Sequence, residues 1–125
     1  MTIILPLPPH GLSPNDRAHW AAKAAAVKKY RGWAAAVTRA EIACSLETCL
    51  EIPWKAAKVQ PVFYFKDRRR RDRDNLAASL KAAYDGLVDA GLLVDDEGLV
   101  PLPPEIGVDK DNPRVELILT RINGG

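Results

Sequence analysis

Apolar and polar residues alternate along this chain with two periods, and the switches between them predict its elements. Thr2 to Leu5 is a short apolar run closed by Pro6, Pro8 and Pro9, which predicts a strand at a sheet edge leading into a rigid extended loop. In the loop HGLSPND, Ser13 or Asn15 can cap the helix that follows. From about Asp16 to Leu50 the chain is rich in Ala, Lys, Arg and Glu. Trp20, Val27, Trp33, Val37 and Ile42 recur there at roughly helical spacing, so one long helix is expected, with Gly32 its weak point. Val59 to Phe65 reads as a central buried strand in which Pro61 requires a bulge or an unpaired amide. A second helix is predicted over Asn75 to Ala90: Leu76, Leu80, Ala83, Tyr84, Leu87 and Val88 share one face and Gly91 supplies the stop. Leu92 to Asp96 is an apolar turn ending in two acids, Leu99 to Leu102 a short strand cut off by Pro103 and Pro104, and the stretch to Asn112 a polar loop. Arg114 to Ile122 alternates, with Val115, Leu117 and Leu119 on one side, as a last strand. Asn123, Gly124 and Gly125 are expected to fray. The order β-α-β-α-(β)-β, without internal repeats or a linker, predicts an α+β fold of two layers, a mixed sheet covered by two main helices.

Size and composition narrow the classes. A chain of 125 residues suits one domain over 1–125, and 47% hydrophobic with 27% charged residues describes a folded protein. There is no apolar run of the ~20 residues a membrane span needs, and the N-terminal MTIILPLPP lacks the basic start of a secretion signal. A cytoplasmic protein with no membrane partner is expected. Cys44 and Cys49 sit on different faces of a predicted helix with no His beside them, which argues against both a disulfide and a zinc site.

A formal net charge of +2 hides a split. The balance is +4 over residues 1–65, +3 over the window Lys66 to Asp74, and −5 over the remainder. That asymmetry points to a nucleic-acid face. Within the window, acids are packed among bases: Asp72 and Asp74 alternate just after a strand and at the entry to a helix, where Asp74 can serve as N-cap. On a continuous helix Asp74, Lys81 and Asp85 would form one stripe opposite the apolar face, which is also what an ordinary solvated face looks like. Asp95 and Asp96 follow in a turn, where acids are commonly just solvated. Should that turn fold back beside Asp72, three carboxylates would share a pocket and need a cation, and oxygen ligands without His or Cys select Mg²⁺ or Mn²⁺. Arginines alongside would clamp phosphates, and the combination is that of phosphodiester hydrolysis.

The segment DRRRRDRDN from Asp67 to Asn75, KAAYDGL from Lys81, DAGLL from Asp89, the pair Asp95-Asp96 and the strand RVELILT from Arg114 together resemble the RusA family of Holliday junction resolvases. The opening LPLPP, with Asn15 in the loop after it, is similar to that family's start, while residues 20–58 correspond only as a helix. The resemblance implies a homodimeric, Mg²⁺-dependent endonuclease, with Mn²⁺ as a substitute, that cuts four-way DNA junctions by paired incisions. It implies metal-holding, catalytic roles for Asp72, Asp74 and Asp96 and a catalytic role for Lys81, which stands a longer interval from Asp74 than in the family but returns to the same helix face. Arg68, Arg69, Arg70, Arg71 and Arg73 are the expected DNA contacts. Three alternatives stand beside it: a less selective nuclease of flaps or forks, a catalytically silent junction-binding protein that keeps the acids as cap and turn residues, and an assembly or scaffold protein, against which the lack of coiled-coil heptads counts.

Overall fold

The computed structural model describes residues 1–8, 20–44 and 52–122. The proposed caps Ser13 and Asn15, Cys49 and the C-terminal Asn-Gly-Gly lie outside those residues. The fold is α+β with a mixed sheet. In chain order it runs β1 (Thr2–Leu5), α1 (Trp20–Cys44), β2 (Ala57–Phe65), α2 (Arg73–Ser79), α3 (Lys81–Asp89), a 3-10 turn (Asp96–Gly98), β3 (Leu99–Pro101), β4 (Glu105–Val108) and β5 (Arg114–Arg121).

β2 is the central strand. β5 pairs antiparallel along one side of it, and β1 pairs antiparallel with β5 to form an edge. On the other side β3 and β4 pair parallel with β2 one after the other, β3 along Ala57 to Val59 and β4 along Val62 to Phe65. The carbonyls of Val59 and Phe65 accept bonds from Leu102 and Asp109 on this side, so the alternating backbone turns Pro61 the same way. Its missing N–H thus falls at the gap between β3 and β4. This is the unpaired amide that the sequence demanded, and no bulge is needed. Gln60 bridges the gap by donating to the Pro61 and Pro103 carbonyls at 3.1 and 2.9 Å.

Ile3, Leu5, Val59, Phe63, Val115, Leu117 and Leu119 line one face of the sheet and join Tyr30, Ala34, Ala83 and Leu87 of the helices, and Leu80 between α2 and α3, in a single core. Each large side chain so buried contributes about 1.5–3 kcal/mol. The opposite face leaves Ile4, Val100 and Ile118 exposed. α1 continues through Gly32, which is exposed and surrounded by good helix formers, so one glycine does not break it. α1 and α3 approach backbone to backbone at Gly86, where a Cβ would lie 2.6 Å from the Arg31 carbonyl oxygen. Arg31 clamps Asp89 with two bonds of 2.5 and 2.8 Å, and Tyr30 ties α1 to the N-terminal strand by donating to the Pro6 carbonyl at 2.6 Å.

Three expectations need correction. The second helix is two helices, because the Ser79 hydroxyl donates to the Leu76 carbonyl at 2.7 Å, the acceptor a continuing α-helix would offer to Leu80. The Leu80 N–H turns instead to Ala77 at 3.2 Å, a tightened turn that ends α2 and starts α3. The first of them begins earlier than expected, with Asp72 rather than Asp74 as N-cap. Finally, the polar loop after Pro104 contains β4, whose Gly107 lets the strand lie against the Tyr64 ring, 3.0 Å from where a Cβ would stand. As the sequence predicts, Gly91 stops α3. It takes φ +86°, and its N–H and that of Leu92 return to Val88 and Leu87 in a Schellman motif sealed by the two buried leucines.

Candidate functional site

β2 delivers the chain from the core directly into the charged window, and α2 carries it away. Between them lies a cleft of about 620 Å³. Its floor is apolar, made by Leu7, Phe63, Phe65 and Leu76, with the Phe63 and Phe65 rings stacked at 5.9 Å between centroids. Its polar walls come from Lys66, Asp67, Arg69 and Arg71 of the loop and from Asp72, Asn75 and Ser79 at α2.

The loop holds itself in shape. The Arg71 guanidinium lies over the Phe65 ring, 3.7 Å from its centroid, and donates to the Asp67 carboxylate at 2.9 Å and to the Arg69 carbonyl at 2.8 Å. Asp67 also accepts the Arg69 N–H at 3.1 Å. That backbone bond, followed by the Arg71 guanidinium, holds the Asp67 carboxyl below the usual carboxylate range. The five arginines therefore divide. Arg71 is turned inward and its bonds are spent on the loop. Arg69 is exposed, with a 3.5 Å contact to Asp67. Arg68, Arg70 and Arg73 are exposed and have no ion pair among the described residues.

Asp72 and Asp74 stand at the start of α2, both exposed. One oxygen of Asp72, Oδ1, accepts the N–H groups of Asp74 and Asn75 at 2.9 and 3.4 Å and so caps the helix. Asp96 is on the exposed 3-10 turn beyond α3, and Asp95 caps that turn by accepting the Glu97 N–H at 2.8 Å. Among the described residues no three acids, His or Cys gather as a metal-holding group. The turn does not bring its acids to the cleft, whose carboxylates are Asp72 and Asp67.

Lys81 opens α3 and is exposed, its Nζ 3.9 Å from Asp85, which also faces Arg31 at 3.9 Å. The break at Leu80 separates it from Asp74, so the stripe expected of a continuous helix is cut. Spacing alone does not mark Asp67, Asn75 and Ser79 as cleft residues. The available signal was the aromatic end of β2 running straight into acids and bases, which places an apolar floor beside a charged rim.

No family model matches the chain. A protein of Xylella fastidiosa (strain Temecula1), described as an uncharacterized protein, is similar to it, with 35% identity over 106 residues. The alignment covers 82% of this chain and 64% of that protein, so the chain spans less than two thirds of its relative's length. Among the described residues no helix is long and apolar enough to cross a membrane.

Proposed function

We propose that this protein is a Mg²⁺-dependent endonuclease of branched DNA, resolving four-way junctions as a homodimer in the manner of the RusA family that its sequence resembles. The observation that carries it is the junction of exposed arginines, without ion pairs among the described residues, with a carboxylate-bearing helix start: Arg68, Arg70 and Arg73 flank Asp72 and Asp74.

The donor set suits the ion. Mg²⁺ is commonly held by one or two carboxylates, with water and substrate phosphate completing its shell. Asp72 keeps one oxygen free of its capping bonds, and the Asp74 side chain has no partner among the described residues. These two would hold the ion, with Asp96 as the further ligand that the family resemblance implies. Bound there, Mg²⁺ would polarise a phosphate and acidify water. The chain's own groups do the rest. Arg68, Arg70 and Arg73 dock phosphates, Arg71 and Asp67 shape the loop that carries the first two, and Lys81, exposed at the start of α3, takes the charge-offsetting role that the family resemblance implies. Mn²⁺ would substitute for Mg²⁺ on the same oxygen ligands.

A second proposal, a silent junction-binding protein, is favoured by the capping work of Asp72 and Asp95, which explains two of the acids without metal. Incubation of a synthetic four-way junction and a linear duplex with Mg²⁺ separates them. The nuclease nicks the junction in opposing strands, and Asp74→Asn abolishes nicking while junction binding persists. Nicking of flaps and forks as readily as junctions identifies the less selective nuclease. Binding with no nicking by the wild type establishes the silent protein.

A further inference from the structure

We infer that the cleft between β2, the charged loop and α2 accepts one unstacked nucleobase and that Asn75 recognises its edge, an inference that rests on the action on branched DNA proposed above. Docking phosphates alone requires exposed cations and no apolar depth, and Arg68, Arg70 and Arg73 meet that requirement outside the cleft. The cleft is built for a different object. At about 620 Å³ it falls in the range of small-molecule pockets, about 300–1,000 Å³. The Phe63 and Phe65 rings are buried under Arg71, so the surface that meets a base is Leu76 and the Arg71 guanidinium, a planar cation of the kind on which bases stack.

The polar groups above this floor match a base edge rather than a phosphate. Asn75 is half-buried, and among the described residues nothing engages either the donor or the acceptor of its carboxamide. A side chain offering both at once is the usual reader of a base edge. Ser79 is buried, gives its proton to Leu76, and keeps lone pairs for an exocyclic amine. Lys66 and Arg69 supply cations for the phosphates on either side. A branch point is where this costs least, since unstacking is cheapest for bases that are not held in a continuous duplex.

The test uses the full chain, without divalent metal, mixed with four-way junctions carrying 2-aminopurine at successive crossover positions or within an arm. Emission is expected to rise severalfold at one crossover position and to stay unchanged in the arm. With Mg²⁺, Asn75→Ala is expected to bind the junction within about threefold of wild type yet to lose about tenfold in preference between bases at that position. Asn75→Asp, which replaces the amide donor by an acceptor, turns the preference toward bases that present an exocyclic amine. A purely structural Asn75 would instead lower affinity equally for every base. Tight junction binding with no emission change at any crossover position, or an unaltered base preference in both variants, overturns the inference and leaves the nuclease proposal standing. Failure of the wild type to prefer branched DNA over linear duplex overturns both.

Discussion

Helices α2 and α3 are adjacent in the chain and separated by a single residue, yet they are held in opposite ways. α3 is locked from outside itself: Gly86 lies against the α1 backbone, Asp89 is gripped by Arg31, and Ala82, Ala83 and Leu87 are buried in the core. α2 and the loop before it are held by residues close in sequence, through the Asp72 cap, the Ser79 back-bond and the Arg71 stack on Phe65 at the end of β2. Long-range packing supports the fold, while short-range bonds shape the candidate site. Substitutions in the first region should be read in stability and those in the second in activity, because locally held segments open at lower cost than the core.

The largest expected effect breaks the first side of that contrast. Gly86→Val forces a side chain into the α1 backbone and should cost about 3 kcal/mol, measured as a shift of the urea midpoint at constant slope. A midpoint equal to wild type would show that the helices do not depend on this approach. Next, Asp72→Ala removes a cap and should cost about 1 kcal/mol, whereas Asp72→Ser, which caps by its hydroxyl, recovers most of it. If the nuclease proposal holds, both variants lose Mg²⁺-dependent nicking, so stability and activity part company at one position.

The smallest effect is in acid. The Arg31 bonds hold the Asp89 carboxyl below the usual range, as bonds within the loop do for Asp67. A depressed carboxylate contributes stability that is fully present above the unfolded value, about pH 4, and is lost as pH falls through the lower folded value. The urea midpoint should therefore decline below about pH 4. Asp89→Asn should flatten that decline more than Asp67→Asn, since Asp89 joins two helices of the core and Asp67 only its own loop. Equal flattening would erase the distinction between the regions.

The same contrast explains what was legible in advance. Strands β1, β2 and β5, the long helix and the Gly91 stop declared themselves through periodicity and backbone chemistry, since each depends on residues close in sequence or on one buried face. The break at Leu80 did not, because it turns on which acceptor the Ser79 hydroxyl takes, a choice invisible to hydrophobic spacing. β4 was hidden for another reason. It is four residues with a central glycine after two prolines, and only its parallel pairing with β2 makes it a strand. At the site, the grouping of Asp72 and Asp74 at a helix start was legible, but the inward turn of Arg71 required three dimensions.

The prolines at the sheet margins have a consequence for how copies of this chain can meet. β1 is four residues long and runs into Pro6, and the opposite margin is divided between two short strands with Pro101, Pro103 and Pro104 at the seam. Neither margin offers the long, flat row of free backbone groups on which another chain could template. Ribbon-to-ribbon addition, the commonest accident of open sheets, is therefore discouraged at both borders. Side-chain surfaces are thereby favoured over a shared hydrogen-bonded sheet for the pairing of two copies.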